Sequence, residues 1–161
     1  MTSPTTKSVL FVCLGNICRS PVARAIFEDL TTTHGLSAQY AIDSCGTGAW
    51  HVGKPADARS VLVAANHGLN LVHTARQLDP ETDFSRFDFL VGMDQANCTT
   101  MRELGAPLEK VRMLRSFDPA LATRQEYELD VPDPYYGGPD GFEHMYKMIH
   151  SACEGLLSAT R

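Results

Sequence analysis

The sequence predicts a single α/β domain built on a doubly wound, four-stranded parallel sheet with helices on both faces. Three observations predict it. Segments of strand character and segments of helical spacing alternate from one end of the chain to the other, the pattern of right-handed crossovers onto a parallel sheet. The 161 residues are 43% apolar and 20% charged, enough for one buried core and unlike a disordered chain. No internal repeat, low-complexity tract or interdomain linker interrupts them. Residues 1–161 are therefore expected to form one domain, with 1–6 as a flexible N-terminus.

The elements follow in order. Ser8 to Cys13 is an apolar run rich in β-branched and aromatic side chains and reads as a buried first strand. Ser20-Pro21 opens the first helix, because the missing N–H of proline costs nothing in a first turn. Ala23, Ile26, Phe27 and Leu30 give that helix an apolar face, and Gly35 ends it. Gln39 to Ser44 reads as the second strand, and Pro55 to His67 as a helix stopped by Gly68. Asp79-Pro80 reads as a plain turn. Phe87 to Met93 is the third strand, followed by a helix that Asp94 caps and that runs towards Leu104. Val111 to Leu114 is a short fourth strand. The stretch from Ser116 to Gly141, rich in Asp, Pro and Gly, is too long to be a mere connector. Phe142 to Leu157 is a last amphipathic helix, with Met145 and Met148 as core filler.

Composition excludes several classes of function. Fourteen basic against 19 acidic residues leave a net charge of −5, which argues against a general nucleic-acid binder. A protein of this balance that handles an anion must use a small, focused site. No run approaches the roughly 18 apolar residues of a membrane helix. The apolar stretch from Val9 to Leu14 is short, has only Lys7 before it and lacks a small-residue cleavage pattern, so it does not read as a signal peptide. Five unevenly spaced cysteines do not make a secreted disulfide framework and point to the cytoplasm, which leaves open export by a signal-peptide-independent route. Cys13 and Cys18 lack a second close Cys or His pair, and the six histidines are scattered, so no metal site is expected. His51, His144 and His150 read as surface residues.

The most informative segment is Cys13-Leu14-Gly15-Asn16-Ile17-Cys18-Arg19-Ser20, which joins the first strand to the first helix. A turn in that place aims backbone N–H groups and the positive end of a helix dipole at one point, which makes an anion site. Gly15 permits a tight turn, and Asn16 tolerates a left-handed backbone. Arg19 can clamp a phosphate with two parallel hydrogen bonds. Cys13 stands at the mouth, where these groups favour thiolate over thiol and invite attack on phosphorus. Alone, Cys13 would more often be a small core residue, and Gly-Asn a plain turn. A Walker-type loop is excluded, because no Gly-Lys-Ser/Thr follows. The combination of strand, Cys, five residues, Arg and a helix-opening Ser-Pro lifts the functional reading.

With that loop unbroken from Cys13 to Pro21, the sequence resembles the bacterial type of low-molecular-weight protein tyrosine phosphatase. The likeness extends over Ser44-Cys45-Gly46-Thr47-Gly48, Trp50-His51-Val52-Gly53, Ala56-Asp57 with Arg59, His73-Thr74-Ala75-Arg76-Gln77 and Asp133-Pro134-Tyr135-Tyr136. Cys45 departs from it, standing where the family more often has alanine. The resemblance implies a flavodoxin-like strand order and metal- and cofactor-independent hydrolysis of phosphotyrosine in protein substrates. Inorganic phosphate and other oxyanions are then expected as inhibitors, and the working unit as a monomer. Cys13 would be the nucleophile, Arg19 the clamp and Asp133 the acid; Asp118, just after the fourth strand, is the second choice for the acid. Asn16, Ser20, Ser44 and His73 would support the loop. Ile17, Trp50, Tyr135 and Tyr136 would wall an aryl group, although each aromatic could equally be a half-buried surface residue. Spacing leaves Cys18 open between a small buried residue and a redox partner of Cys13; the resemblance implies the partner.

Three rivals differ in chemistry. A thiol-dependent arsenate reductase needs a relay of further cysteines, and between Ala75 and Arg102 there is only Cys98. Protein-arginine phosphatases resemble this chain but carry threonine where Ile17 stands. A non-catalytic phosphate-binding module would need the cradle but not the acid loop.

Overall fold

The computed structural model of the chain describes residues 6–135 and 137–161; the expected N-terminal tail and Tyr136 fall outside the described residues, save residue 6. Four strands, β1 (Lys7–Cys13), β2 (Tyr40–Gly46), β3 (Phe89–Gly92) and β4 (Val111–Met113), form a parallel sheet in the order β2-β1-β3-β4. This is the flavodoxin-like order, and its ligand crevice lies at the carboxyl ends of the central strands. There the register sets Cys13 of β1 beside Gly46 of β2.

Five helices cover the sheet: α1 (Arg19–Thr33), α2 (Ala58–Asn66), α3 (Pro80–Arg86), α4 (Gln95–Glu103) and α5 (Pro139–Thr160). The alternation of β1 divides the core. Val9, Phe11 and Cys13 face Ile26 and Phe27 of α1, Val63 of α2 and Ile149 of α5. Leu10 and Val12 face the other way, towards Phe84 of α3 and Met101 of α4. Successive side chains thus belong to different cores, and a one-residue slip of β1 would invert both. Among the described residues no helix is long and apolar enough to cross a membrane.

The structure corrects the sequence reading at several boundaries. Asp79-Pro80 is no plain turn. Asp79 accepts the Glu81 N–H at 3.2 Å and Pro80 takes the first helical position, so the pair starts α3. The same logic that found Ser20-Pro21 applies there. The second helix starts at Ala58, because Asp57 caps it by accepting the Arg59 N–H at 2.8 Å. The third strand begins at Phe89, since Phe87 still caps α3. The last helix begins earlier than Phe142, at Pro139. Short 3-10 turns at Leu114–Phe117, Pro119–Leu121 and Glu126–Glu128 shape the long segment before it.

Candidate active site

Five carbonyls of the turn from β1 into α1 are turned outward and occupied. Thr47 N–H donates to the Cys13 carbonyl and Gly48 N–H to that of Leu14, both at 2.9 Å. His73 Nε2 donates to the Asn16 carbonyl at 2.6 Å, Asp57 N–H to Ile17 at 2.8 Å and Ser60 Oγ to Cys18 at 3.3 Å. A trans peptide points its N–H opposite its C=O, and the described residues contain no cis bond. The amides of Leu14, Gly15, Ile17, Cys18 and Arg19 are thereby aimed away from those donors, towards the centre of the turn. Gly46 permits this close winding: a β-carbon there would stand 2.8 Å from the Leu14 carbonyl oxygen and 3.0 Å from the Asn16 nitrogen.

Asn16 is the hub. It is fully buried and left-handed, with φ 57°. Its Nδ2 donates to Ser20 Oγ at 2.8 Å and to Ser44 Oγ at 3.0 Å, its Oδ1 accepts the Arg76 N–H at 2.9 Å, and its own N–H points at Cys13 Sγ at 3.3 Å. Every polar group of the residue is engaged, which offsets the steric cost of the backbone. Because Ser20 Oγ accepts from Asn16, its hydroxyl proton is available elsewhere. Cys13 Sγ, 2.9 Å away, is nearer than the Cys45 carbonyl at 3.4 Å. Burial pushes the His73 ring below its ordinary pKa, and a neutral ring protonated on Nε2 suits the carbonyl it serves.

Arg19 begins α1 with its side chain only 3% exposed. Its Nη1 donates to Asp94 Oδ2 at 2.6 Å and to the Val131 carbonyl at 3.0 Å, and Nη2 stands 3.5 Å from Asp133 Oδ2. Burial opposes the charge, but Cys13, Asp94 and Asp133 outweigh it and hold the guanidinium above its usual range. Asp94 reads in the sequence only as a helix cap, and it does cap α4 through Asn97. Its second carboxylate oxygen orients Arg19 across a span of 75 residues, for which the sequence carries no local signal.

A cavity of about 370 Å³ opens over the turn, lined by Cys13, Leu14, Gly15, Ile17, Cys18, Arg19, Trp50, His51, Asp133 and Tyr135. Distant segments thus meet around one sulfur. Trp50 stands at the rim, 68% exposed. His51, expected on the surface, is half-buried and lies in this lining with its ring 6.3 Å from that of Tyr135. Asn16, Ser20, Ser44 and His73 lie beneath the turn rather than in the opening. Asp118 is not brought here; it caps the Pro119–Leu121 turn by accepting the Ala120 N–H. Tyr136 lies outside the described residues. Cys45 is buried among the residues packed on α3 and α4, on the opposite face of the sheet from Cys13. Cys98 is buried on α4. Among the described residues no group of three or more His, Cys, Asp or Glu could hold a metal ion.

A parallel sheet with an amide-lined turn at the end of its central strand, a thiol in the turn and an acid above it defines a class: α/β proteins that hold a tetrahedral oxyanion against a cysteine. The comparisons narrow it. A family profile described as "Low molecular weight phosphotyrosine protein phosphatase" matches residues 8–161. A Streptomyces coelicolor protein named "Low molecular weight protein-tyrosine-phosphatase" is 49% identical over 160 residues, covering 97% of this chain and 94% of that one. The crystal structure of an Entamoeba histolytica protein tyrosine phosphatase with Hepes in its active site superposes with a TM-score of 0.86 at 35% identity, over 95% of this chain and 96% of that one. A Drosophila arginine phosphatase superposes at 0.85 with 31% identity, over 97% and 98%. The chain belongs to the low molecular weight phosphotyrosine protein phosphatase family. The fold class and the family both agree with the sequence reading, and these likenesses favour neither a reductase nor a non-catalytic phosphate binder.

Proposed function

We propose that the protein hydrolyses phosphotyrosine in proteins, and small aryl phosphates, through a phosphocysteine on Cys13. The sulfur attacks phosphorus, an S–P bond forms and the P–O bond to the phenol breaks. Asp133 gives its proton to the leaving oxygen and then takes one from the water that cleaves the S–P bond. Inward amides and Arg19 stabilise the charge spread over the transferring phosphoryl group. The Ser20 hydroxyl donates to the departing thiolate. The single observation that carries this reading is the placing of Cys13 Sγ, Arg19 and Asp133 around one cavity, with Ser20 Oγ 2.9 Å from the sulfur.

Ile17, Trp50 and Tyr135 supply apolar surface above the cradle, with Tyr136 beside them in sequence, and Ile17 stands where the protein-arginine phosphatases carry threonine. This favours phosphotyrosine over phosphoarginine. Inorganic phosphate and other oxyanions would occupy the same cradle as inhibitors. The working unit in this reading is a monomer, with residues 1–161 acting as one phosphatase domain. Five free cysteines suit the reducing cytoplasm. Hydrolysis of matched phosphotyrosine, phosphoserine and phosphoarginine peptides, measured side by side without added metal, tests the assignment. Phosphotyrosine should be turned over fastest; a faster phosphoarginine reaction would overturn it.

A further inference from the structure

The segment that carries Asp133 is held by three arginines, each donating to one of its carbonyls. Arg115 donates to Asp130 at 3.0 Å, Arg19 to Val131 at 3.0 Å and Arg59 to Tyr135 at 3.1 Å. Two grips precede Asp133 in the chain and one follows it. Arg19 already belongs to the phosphate cradle, and Arg115 acts three residues upstream. Arg59 is different. It stands in the first turn of α2, lines no part of the cavity and has no role in the chemistry described above.

Its contacts are numerous and directed. Nε and Nη2 donate to the two oxygens of Asp57 at 3.0 and 2.9 Å, a forked pair that fixes the plane of the guanidinium. Its Cζ lies 4.6 Å from the ring centre of Phe142, at the start of α5, and 5.4 Å from that of Tyr135. The remaining nitrogen, Nη1, makes the bond to the Tyr135 carbonyl. Tyr135 in turn donates its N–H to Asp133 Oδ1 at 3.0 Å. The path from Arg59 to the carboxylate is therefore one residue long, with a hydrogen bond at each end. Asp57, the other end of the fork, donates its N–H to the Ile17 carbonyl of the phosphate turn. Asp57 and Arg59 form a brace between the two loops that must meet over the substrate.

We propose that Arg59 is a positioning residue for proton transfer, which sets the carboxylate of Asp133 over the cradle by gripping Tyr135. The inference rests on Asp133 being the acid. Arg59 touches no substrate and acts only through that group, so its loss should be felt in proportion to how much the leaving oxygen needs a proton. The Asp57 carboxylate caps α2 through the backbone N–H of Arg59, a bond that survives truncation of the Arg59 side chain, so α2 keeps its start.

The experiment is kcat/KM for a series of aryl phosphates, from very acidic phenols to tyrosine-like ones, with Arg59→Ala, Arg59→Lys, Asp133→Ala and the Arg59→Ala/Asp133→Ala double variant. Arg59→Ala should cost about tenfold with poor leaving groups, a part of the range a positioned acid supplies. It should cost less than about twofold with the most acidic ones, and vanadate inhibition should hold within the same factor. Arg59→Lys, which keeps a donor for Tyr135 but loses the fork, should recover part of the loss. In the double variant Arg59→Ala should cost nothing beyond Asp133→Ala. Arg59→Ala losses that are equal across the series, or that add to those of Asp133→Ala, overturn the brace. A flat series for Asp133→Ala itself overturns the acid assignment, and the inference falls with it.

Discussion

The phosphate turn and the acid segment meet over the same cavity but are held in different ways. From Cys13 to Ser20 every residue except Leu14 is buried or half-buried, and the chain is fastened by its own buried network through Asn16. Around Asp133 the chain is largely exposed, with Val131 and Pro134 as its buried points, and its carbonyls are taken by arginines from three separate places. One region is preorganised by a buried network that satisfies it from every side, the other by arginines that grip the carbonyls of a largely exposed chain. A tetrahedral anion cradle needs amide positions fixed to fractions of an ångström, whereas an acid must reach leaving groups of different depth.

The contrast can be broken at either end. Cys13→Ser should abolish turnover, with a loss on the order of 10⁴-fold or more, while phosphate and vanadate still bind, because the nucleophile goes and the cradle stays. Loss of oxyanion binding, read by calorimetry, would contradict the separation. Asp133→Ala should cost roughly 10²–10⁴-fold with phenolic esters and far less with very acidic leaving groups. Kinetics on both substrates checks it.

Removing the hub sharpens the comparison on the stability axis. Asn16→Ala strips the donors of Ser20 and Ser44, the acceptor for the Arg76 N–H, and the residue type that tolerates φ 57°. A loss of about 2–4 kcal/mol in denaturant unfolding is expected. Substitution of exposed Pro132 in the acid segment should shift unfolding by well under about 1 kcal/mol. Similar losses at both sites would remove the distinction.

His73 adds a pH signature to the cradle alone. Its folded pKa lies below the ordinary 6.5, chiefly through burial. Above 6.5 the ring is neutral in both states and the folded form is unpenalised. As pH falls below 6.5 the unfolded ring takes up a proton first, so stability declines until the folded pKa is passed. Unfolding curves at stepped pH should show this decline in the wild type and less of it in His73→Gln.

The smallest effect concerns Cys18, whose thiol burial, Asp57 and Asp133 push up to about 12. It is held as a protonated thiol beside Cys13, the proposed nucleophile. If peroxide converts Cys13 to a sulfenic acid, Cys18 must give up its proton as it displaces the hydroxide, so that a disulfide and water form, and its raised pKa slows that capture. Dithiol treatment should then restore activity to oxidised wild-type enzyme, and Cys18→Ser should keep basal activity but lose the recovery. Equal recovery in both would leave Cys18 as packing.

The division also explains what could be read from the chain. The cradle was legible because Cys13, Gly15, Asn16, Arg19 and Ser20 lie within one turn, where residue type and spacing determine backbone direction. The sheet was legible because strands and helices alternate cleanly. Asp133, Asp79 and Asp118 all precede proline, and only the aromatic pair after Asp133 sets it apart locally; the choice of Asp133 came from the family likeness. Asp94 and His51 were missed because their roles depend on contacts across the fold, with Arg19 and Tyr135. The start of α3 was missed although its cap was visible.

The pairing of Arg19 with Asp94 and Asp133 bears on how fast a partner is captured. The cation at the bottom of the pocket is already compensated before any phosphate arrives, and the chain as a whole carries a charge of −5. A phosphoprotein approaching from afar meets no uncompensated cation in the pocket; it is recognised at contact, by the inward amides and the already paired Arg19 guanidinium. Encounter should therefore proceed at the unsteered rate of about 10⁵–10⁶ M⁻¹s⁻¹. It should not slow as salt is raised, because the enzyme selects by shape and leaves the timing to diffusion.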